Sequence, residues 1–343
     1  MLTANYLGSR EIGIRETEPE PPGPGQVRIG VAYTGICGTD LHVLHGNMDA
    51  RVRVPAITGH EMSGVIDALG EGVTDWRVGD HVTVMPLEWD GTCPACLAGN
   101  EHVCQNLTFI GLDSPGALQR LWNVRADHLV ALPRELPLDH AALTEPVAVA
   151  VHDVRRAGLA AGDRAVVIGG GPIGALIALV ARHAGAEVVV VEIDAGRRAA
   201  VAELGFEVLD PRATDQAAWV TEWTGGAGAD VVFEVSGAAA AVLGATDLVK
   251  VRGTLVVVAI HPEPRPVNLQ RVFWRELRIL GARVYQRADF ERAVELLANG
   301  VIPADRIISR VEPITETARA FATLEAGQAM KILIDVAAKG ADA

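Results

Sequence analysis

The sequence predicts an α/β chain of two domains, one β-rich and one a doubly wound parallel sheet. Three observations carry that prediction. The chain has 343 residues, too many for one small module at roughly 100–200 residues per domain. Residues 1–150 hold short apolar runs broken by Gly and Pro, the punctuation of an antiparallel barrel or sandwich with long loops. From Asp163 onward apolar runs and helix-like stretches alternate, which means βαβ units and a sheet covered on both faces.

In order along the chain, residues 27–31 and 81–84 nearly alternate and read as strands. Segments such as Pro21-Pro22-Gly23-Pro24-Gly25 separate such runs. Strands follow at 164–168, 188–191, 208–210, 230–235, 254–260 and 277–283, with helices at 175–184, 196–204, 214–224 and 238–249 between them. The last of these strands is expected at the sheet edge. The tail reads as helix (290–298), loop, helix (315–324) and a final strand (331–336) that can fold back onto either domain. The expected division is 1–150, 151–285 and 286–343.

Composition excludes several functions. Lys plus Arg is 30 and Asp plus Glu 43, a formal charge of −13. So acidic a chain has no field to gather phosphates, which excludes nucleic acid as a partner. The longest uncharged stretch in the middle of the chain, 165–181, contains Gly169-Gly170-Gly171 and Pro172 and is shorter than the ~20 residues of a membrane span. The N-terminus lacks the basic-then-apolar pattern of a signal peptide. The expectation is a cytoplasmic protein with no membrane partner, in a compartment where cysteines stay thiols. The four cysteines are Cys37, Cys93, Cys96 and Cys104, and three of them cluster, which there points to metal before disulfide.

Gly169-x-Gly171-x-x-Gly174 follows the strand at 164–168 and opens a helix through Pro172 and Ile173. The first glycine makes a tight turn, the second lets a pyrophosphate approach the backbone, and the third lets helix and strand pack closely. The helix N-terminus offers free N–H groups to phosphates. Glu192 ends the next strand; a carboxylate there accepts ribose hydroxyls and repels a 2′-phosphate, favouring NAD over NADP. Arg197 and Arg198 pull the other way, since an arginine can receive a 2′-phosphate.

Cys93-x-x-Cys96 and Cys104 lie in a loop rich in Gly, Pro and Asn. A structural zinc takes four ligands. The three-residue step carried back from Cys93 lands on Asp90; Glu88, Glu101 and His102 are alternative donors. Elsewhere, Cys37, His60-Glu61 and Glu145 supply a thiolate, an imidazole and carboxylates, donors for a catalytic zinc that keeps a position open. Val43, Trp89, Phe109, Ile110 and Leu112 flank these segments as candidate pocket walls.

Read together, the segments Gly35-Ile36-Cys37-Gly38-Thr39-Asp40-Leu41-His42 and Gly59-His60-Glu61-x-x-Gly64, the cysteine lobe, Glu145-Pro146 and the glycine turn resemble the zinc-dependent medium-chain alcohol dehydrogenase family. The likeness is to its sorbitol, threonine and (R,R)-butanediol branch and covers essentially the whole chain. It implies an α/β fold with a GroES-like β-rich catalytic domain, completed by the tail, plus a Rossmann doubly wound parallel sheet. It implies that Cys37 and His60 bind a catalytic zinc, with Glu61 and Glu145 as further or exchanging ligands. Asp40 would orient His60, and Thr39 and His42 would pass on the substrate proton. Asp90, Cys93, Cys96 and Cys104 would hold a structural zinc, with Asp90 departing from the family's usual cysteine. The implied reaction moves hydride between a secondary alcohol (vicinal diol, polyol or acyloin) and NAD. L-Threonine and cyclitols or aminocyclitols are alternative substrates, and a non-catalytic NAD-binding protein is the alternative class. A homodimer or homotetramer is implied by analogy.

Overall fold

The strand Arg164–Ile168 is buried along its last four residues and Glu187–Val191 along its last three. Runs of Val and Ile without alternation suit strands covered on both faces. In the computed structural model, which describes residues 1–338, both strands belong to a six-stranded sheet. Its order is Glu207–Leu209, Glu187–Val191, Arg164–Ile168, Ala229–Glu234, Val249–Val257 and Arg278–Gly281, with every pair parallel. This is the doubly wound order, and its switch point lies where Arg164–Ile168 meets Ala229–Glu234. Helix Pro172–His183 follows the first of those two strands and is buried continuously from Gly174 to Ala181. Its first position is a proline, where a missing N–H costs nothing. The strand expected at 254–260 instead spans Val249–Val257, because Lys250 and Arg252 interrupt the apolar run that would have revealed its start. Arg278–Gly281 lies at the edge, as expected, and is mostly exposed.

The β-rich part forms a seven-stranded sheet. Its order is Ile308–Pro313, Lys331–Asp335, Gln26–Gly35, Glu61–Leu69, His81–Val84 and Leu129–Ala131, with Leu121–Arg125 also on Gln26–Gly35. All pairs are antiparallel except the first. Val27, Ile29 and Val31 point into a core shared with Met62, Val82, Ile332 and Ile334. The segment 299–314, expected as loop, carries a short helix, Ala304–Ile307, and the strand Ile308–Pro313. Ser309, Arg310 and Val311 are exposed at the sheet edge, so no apolar run marks this strand.

Met1–Glu145 and the segment from Gln286 onward make one unit, Pro146–Tyr285 the other. The division falls within helix Thr144–Ala157, a few residues before the expected 150. Among the described residues no helix is long and apolar enough to cross a membrane.

Candidate active site

Gly38–Leu44 is a short helix with Cys37 at its N-cap. The Cys37 Sγ accepts from Thr39 N–H at 3.5 Å, and the Cys37 N–H donates to Asp40 Oδ2 at 2.9 Å. The cap therefore aims the thiol and ties it to Asp40. Glu61 opens strand Glu61–Leu69, just after His60. Ligand atoms of Cys37, His60 and Glu61 lie within 4.8 Å of one another. Glu145, 4% exposed near the start of helix Thr144–Ala157, is not part of that tight group. Its negative charge still acts on His60.

Asp40 Oδ1 faces His60 Nδ1 at 3.9 Å, too far for a hydrogen bond but within electrostatic reach. Both atoms are buried without a hydrogen-bond partner. Burial alone pushes the His60 pKa down, but Asp40, Cys37 and Glu145 outweigh it and raise it to about 10. Burial likewise raises the Asp40 pKa, partly offset by His60. Negative groups crowded around one imidazole make a nest for a cation, and thiolate, imidazole and carboxylate suit zinc.

Lys331 escaped the sequence reading. It is 3% exposed, and its Nζ donates to Glu61 Oε1 at 2.8 Å, Glu61 Oε2 at 2.7 Å and the Ile36 carbonyl at 3.1 Å. Burial works against its charge, but Glu61 and Cys37 outweigh it, and its pKa is raised. Thr39 and His42 lie three apart on the capped helix and so share a face. Asn47 Nδ2 lies 3.4 Å from His42 Nδ1, a contact the sequence did not signal. Of the candidate pocket walls, Phe109 meets the His60 ring edge-on at 5.1 Å. Val43, Ile110 and Leu112 are buried and Trp89 is exposed.

The second cluster is the loop lobe. Asp90, Cys93, Cys96 and Cys104 present ligand atoms within 4.8 Å of one another. Glu88, Glu101 and His102 are not in the group. Backbone N–H groups of Asp90 and Asn106 donate to Cys104 Sγ, and that of Gln105 to Cys93 Sγ, at 3.3–3.5 Å. Asp90 Oδ1 accepts from Thr92 N–H at 2.8 Å and Cys93 N–H at 2.9 Å, and Oδ2 accepts from Asn106 Nδ2 at 2.5 Å. Asn106, with those N–H groups, holds the Asp90 pKa far below the carboxylate range. Burial and the neighbouring thiols push Cys96 up to about 12, whereas backbone N–H groups lower Cys93. One thiol is eased toward its thiolate beside a fixed carboxylate, and a cation would take the place of the thiol protons.

The glycine turn keeps the geometry its motif requires. Gly169 has φ +110°, open to glycine but strained for other residues. A Cβ on Gly174 would stand 1.8 Å from the Gly169 carbonyl oxygen, so only glycine lets the helix sit that close. Glu192 accepts from Gly170 N–H at 2.7 Å and from Asp194 N–H at 2.8 Å. Each carboxylate oxygen keeps a lone pair. Arg198 is engaged with Asp210 at 3.1 Å and the Ile193 carbonyl at 2.6 Å. Arg197 Nη1 lies 3.8 Å from where a Gly171 Cβ would be, beside the phosphate turn. Glu234, also missed, ends its strand by accepting through Oε1 from Ser236 N–H, Ser236 Oγ and Gly237 N–H at 2.6–3.0 Å.

A doubly wound sheet with a phosphate-binding turn, and a largely buried thiol–imidazole–carboxylate cluster in the β-rich unit, define a metal-dependent, nucleotide-linked oxidoreductase. Comparison with known proteins narrows the class. Residues 23–134 match the alcohol dehydrogenase GroES-like domain, and residues 172–299 match the zinc-binding dehydrogenase family. The chain is 49% identical over 336 residues, 98% of each chain, to a 2-dehydro-3-deoxy-L-galactonate 5-dehydrogenase of Pseudoalteromonas atlantica. It is 31% identical to the crystal structure of 2R,3R-butanediol dehydrogenase from Bacillus subtilis, with TM-score 0.90 over 97% of this chain and 99% of that one. A zinc-binding dehydrogenase from Sinorhizobium meliloti bound to NADP gives 32% identity and TM-score 0.91 over 97% and 98%. The chain belongs to the zinc-dependent medium-chain dehydrogenase family. It is an enzyme that moves hydride between a small secondary alcohol and a nicotinamide cofactor.

Proposed function

We propose that this enzyme oxidises one secondary hydroxyl of an acyclic polyhydroxylated substrate, a polyol or sugar acid, and that it uses NAD. The observation that carries the substrate class is the 49% identity to an enzyme named for a sugar acid. L-Threonine would need fixed partners for an ammonium and a carboxylate. Two charged residues that could do that work, Glu88 and Arg287, are engaged elsewhere. Glu88 lies 4.0 Å from Arg125, and Arg287 donates to the carbonyls of Asp127 and Leu129. For the cofactor, the buried Glu192 carboxylate favours ribose hydroxyls over a 2′-phosphate, and Arg198 is already paired.

In this reading the catalytic zinc is held by Cys37 and His60, with Glu61 and Glu145 as the nearby carboxylates. The second zinc is held by Asp90, Cys93, Cys96 and Cys104. The catalytic zinc supplies Lewis acidity toward the substrate hydroxyl, and the nicotinamide supplies the hydride acceptor. The chain's own residues do the rest. Asp40 fixes the Cys37 loop through its N–H and stabilises His60 electrostatically. Thr39 receives the substrate proton and His42 carries it toward solvent, a proton-shuttling role that suits an imidazole side chain. Asn47 steadies the His42 ring. The unit built from Met1–Glu145 and the tail carries the chemistry, and Pro146–Tyr285 binds NAD. The exposed edge strand Arg278–Gly281 pairs with its twin in a homodimer or homotetramer working in the cytoplasm. Phe273 and Trp274, 74% and 73% exposed, need such cover.

A panel assay tests the reading. NAD and NADP reduction are followed with sugar acids, sorbitol, butanediol, cyclitols and threonine. Highest kcat/KM for a sugar acid or polyol with NAD is expected; a threonine or NADP preference overturns the corresponding half. Trp274→Glu is expected to yield monomer by light scattering.

A further inference from the structure

We infer that the β-rich unit carries a second ligand site, for an organic polyammonium ion, in a cavity outside the catalytic cluster. The cavity has a volume of about 500 Å³, within the roughly 300–1,000 Å³ of small-molecule sites. All of its lining residues fall within Met1–Glu145, and none of Cys37, His60, Glu61 and Glu145 is among them. Ile57, Ile110 and Trp122 give it an apolar wall.

The polar groups of the wall are out of balance. Gln119 Nε2 donates to the Gly116 carbonyl at 2.7 Å, and Trp122 Nε1 to the Pro115 carbonyl at 3.0 Å. Asn123 Nδ2 donates to the carbonyls of Glu20 and Pro21 at 3.1 and 3.2 Å. Arg125 is held by Asp127 through bonds of 3.0 and 2.5 Å and faces Glu88 at 4.0 Å. These donors are spent within the protein, and the acceptors beside them are not. Asn123 Oδ1 is buried without a partner, and the two bonds made by Nδ2 fix which end of the amide is the oxygen. His128 is 8% exposed, and its Nδ1 is likewise buried without a partner. Burial lowers the His128 pKa against the pull of Asp127 and Glu88, so the ring is neutral at pH 7. Asp127 Oδ1, 3.9 Å from Nε2, draws the ring proton to that nitrogen and leaves Nδ1 an acceptor. Glu18 and Glu20 add two exposed carboxylates that enter no ion pair among the described residues.

A wall whose open groups accept calls for a ligand whose polar groups donate. An ammonium donates three times and accepts nothing, whereas a phosphate or carboxylate is the reverse. A metal ion suits the wall less well. Among the described residues, the groups whose ligand atoms gather within 4.8 Å are the two already described, and the cavity's carboxylates belong to neither. Acceptors dispersed along an apolar wall match charges spaced along a hydrocarbon chain, which is the form of a linear di- or triamine.

The test is isothermal titration of the full-length protein with spermidine. Saturable binding of one spermidine per chain is expected. Glu18→Gln with Glu20→Gln should weaken it about tenfold, the combined loss of two solvent-screened ion pairs. His128→Phe keeps a ring in place and removes its acceptor, and should weaken binding about tenfold as well. If His128→Phe does not fold, the double glutamine variant decides, because both of its positions are exposed. Absence of saturable binding overturns the inference. Binding that survives the double substitution also overturns it, leaving only the unspecific attraction of an acidic surface. Mg²⁺ that displaces spermidine at equal concentration overturns it too, in favour of a metal site.

Discussion

The two candidate metal clusters both combine thiol with carboxylate, only the first adds an imidazole, and they differ in what surrounds them. Cys37 is only half-buried, while Cys93, Cys96 and Cys104 are buried. The Cys37 cluster is stabilised by a buried counter-charge, Lys331 on Glu61, and by an imidazole amid carboxylates. The lobe is stabilised by backbone N–H groups on sulfur and on Asp90. A site closed by backbone is rigid and suits a structural ion, whereas one balanced by side-chain charge, with its thiol partly open, can receive a substrate.

The largest way to break this comparison is to exchange the roles. Cys37→Ser should cut turnover about a thousandfold, the several kcal/mol expected of a lost Lewis acid. Cofactor affinity, read by NADH fluorescence, should hold. Cys96→Ser should leave most turnover at low temperature and lower the thermal midpoint by several degrees, as expected for a lost structural ion. If Cys96→Ser proves as inactive as Cys37→Ser, the distinction between open and closed sites is wrong. A finer cut falls on Asp90. Asp90→Asn should weaken lobe metal retention about tenfold, read by chelator competition. Asp90→Cys should strengthen it, because a thiolate is the softer donor.

The smallest expected effect lies in the wall of the active cluster. Arg51 donates twice to Asp113 at 2.5 Å, and Asp113 Oδ2 accepts from Phe109 N–H at 2.6 Å. Phe109 in turn packs on His60. Burial pushes the Asp113 pKa up, but Arg51 and the Phe109 N–H outweigh it, so the folded value is lowered. A lowered folded pKa means stability that is fully present above the unfolded value near 4 and lost as pH falls through the folded one. Asp113→Asn should therefore cost about 0.5–1 kcal/mol at pH 7, the range of a solvent-screened pair, and flatten the acid limb of a denaturation profile. An unchanged acid limb would show that the pair contributes nothing.

The residues legible in the sequence were those whose chemistry announces itself by spacing. Cys93-x-x-Cys96, with Asp90 one step back, assembles locally because a tight loop supplies all the donors. Gly169, Gly171 and Gly174 are legible because only glycine meets their steric demands. Lys331 left one faint trace, a single charge opening the apolar run Ile332-Leu333-Ile334. Asn47 and Asn106 left none, since an amide in a polar loop looks like any other. The strand Ile308–Pro313 was hidden because an edge strand needs no continuous apolar face.

The sequence by itself determined the α/β alternation, the phosphate-binding turn and the division of four cysteines into three and one. These depend on residue type and short-range spacing, which the chain carries wherever it folds. Only the tertiary structure decided that Lys331 meets Glu61 across 270 positions and that Glu145 stands outside the tight Cys37–His60–Glu61 group. Such pairings are set by strand register and by the cost of burying a charge alone. Both are properties of the folded sheet rather than of any segment within it.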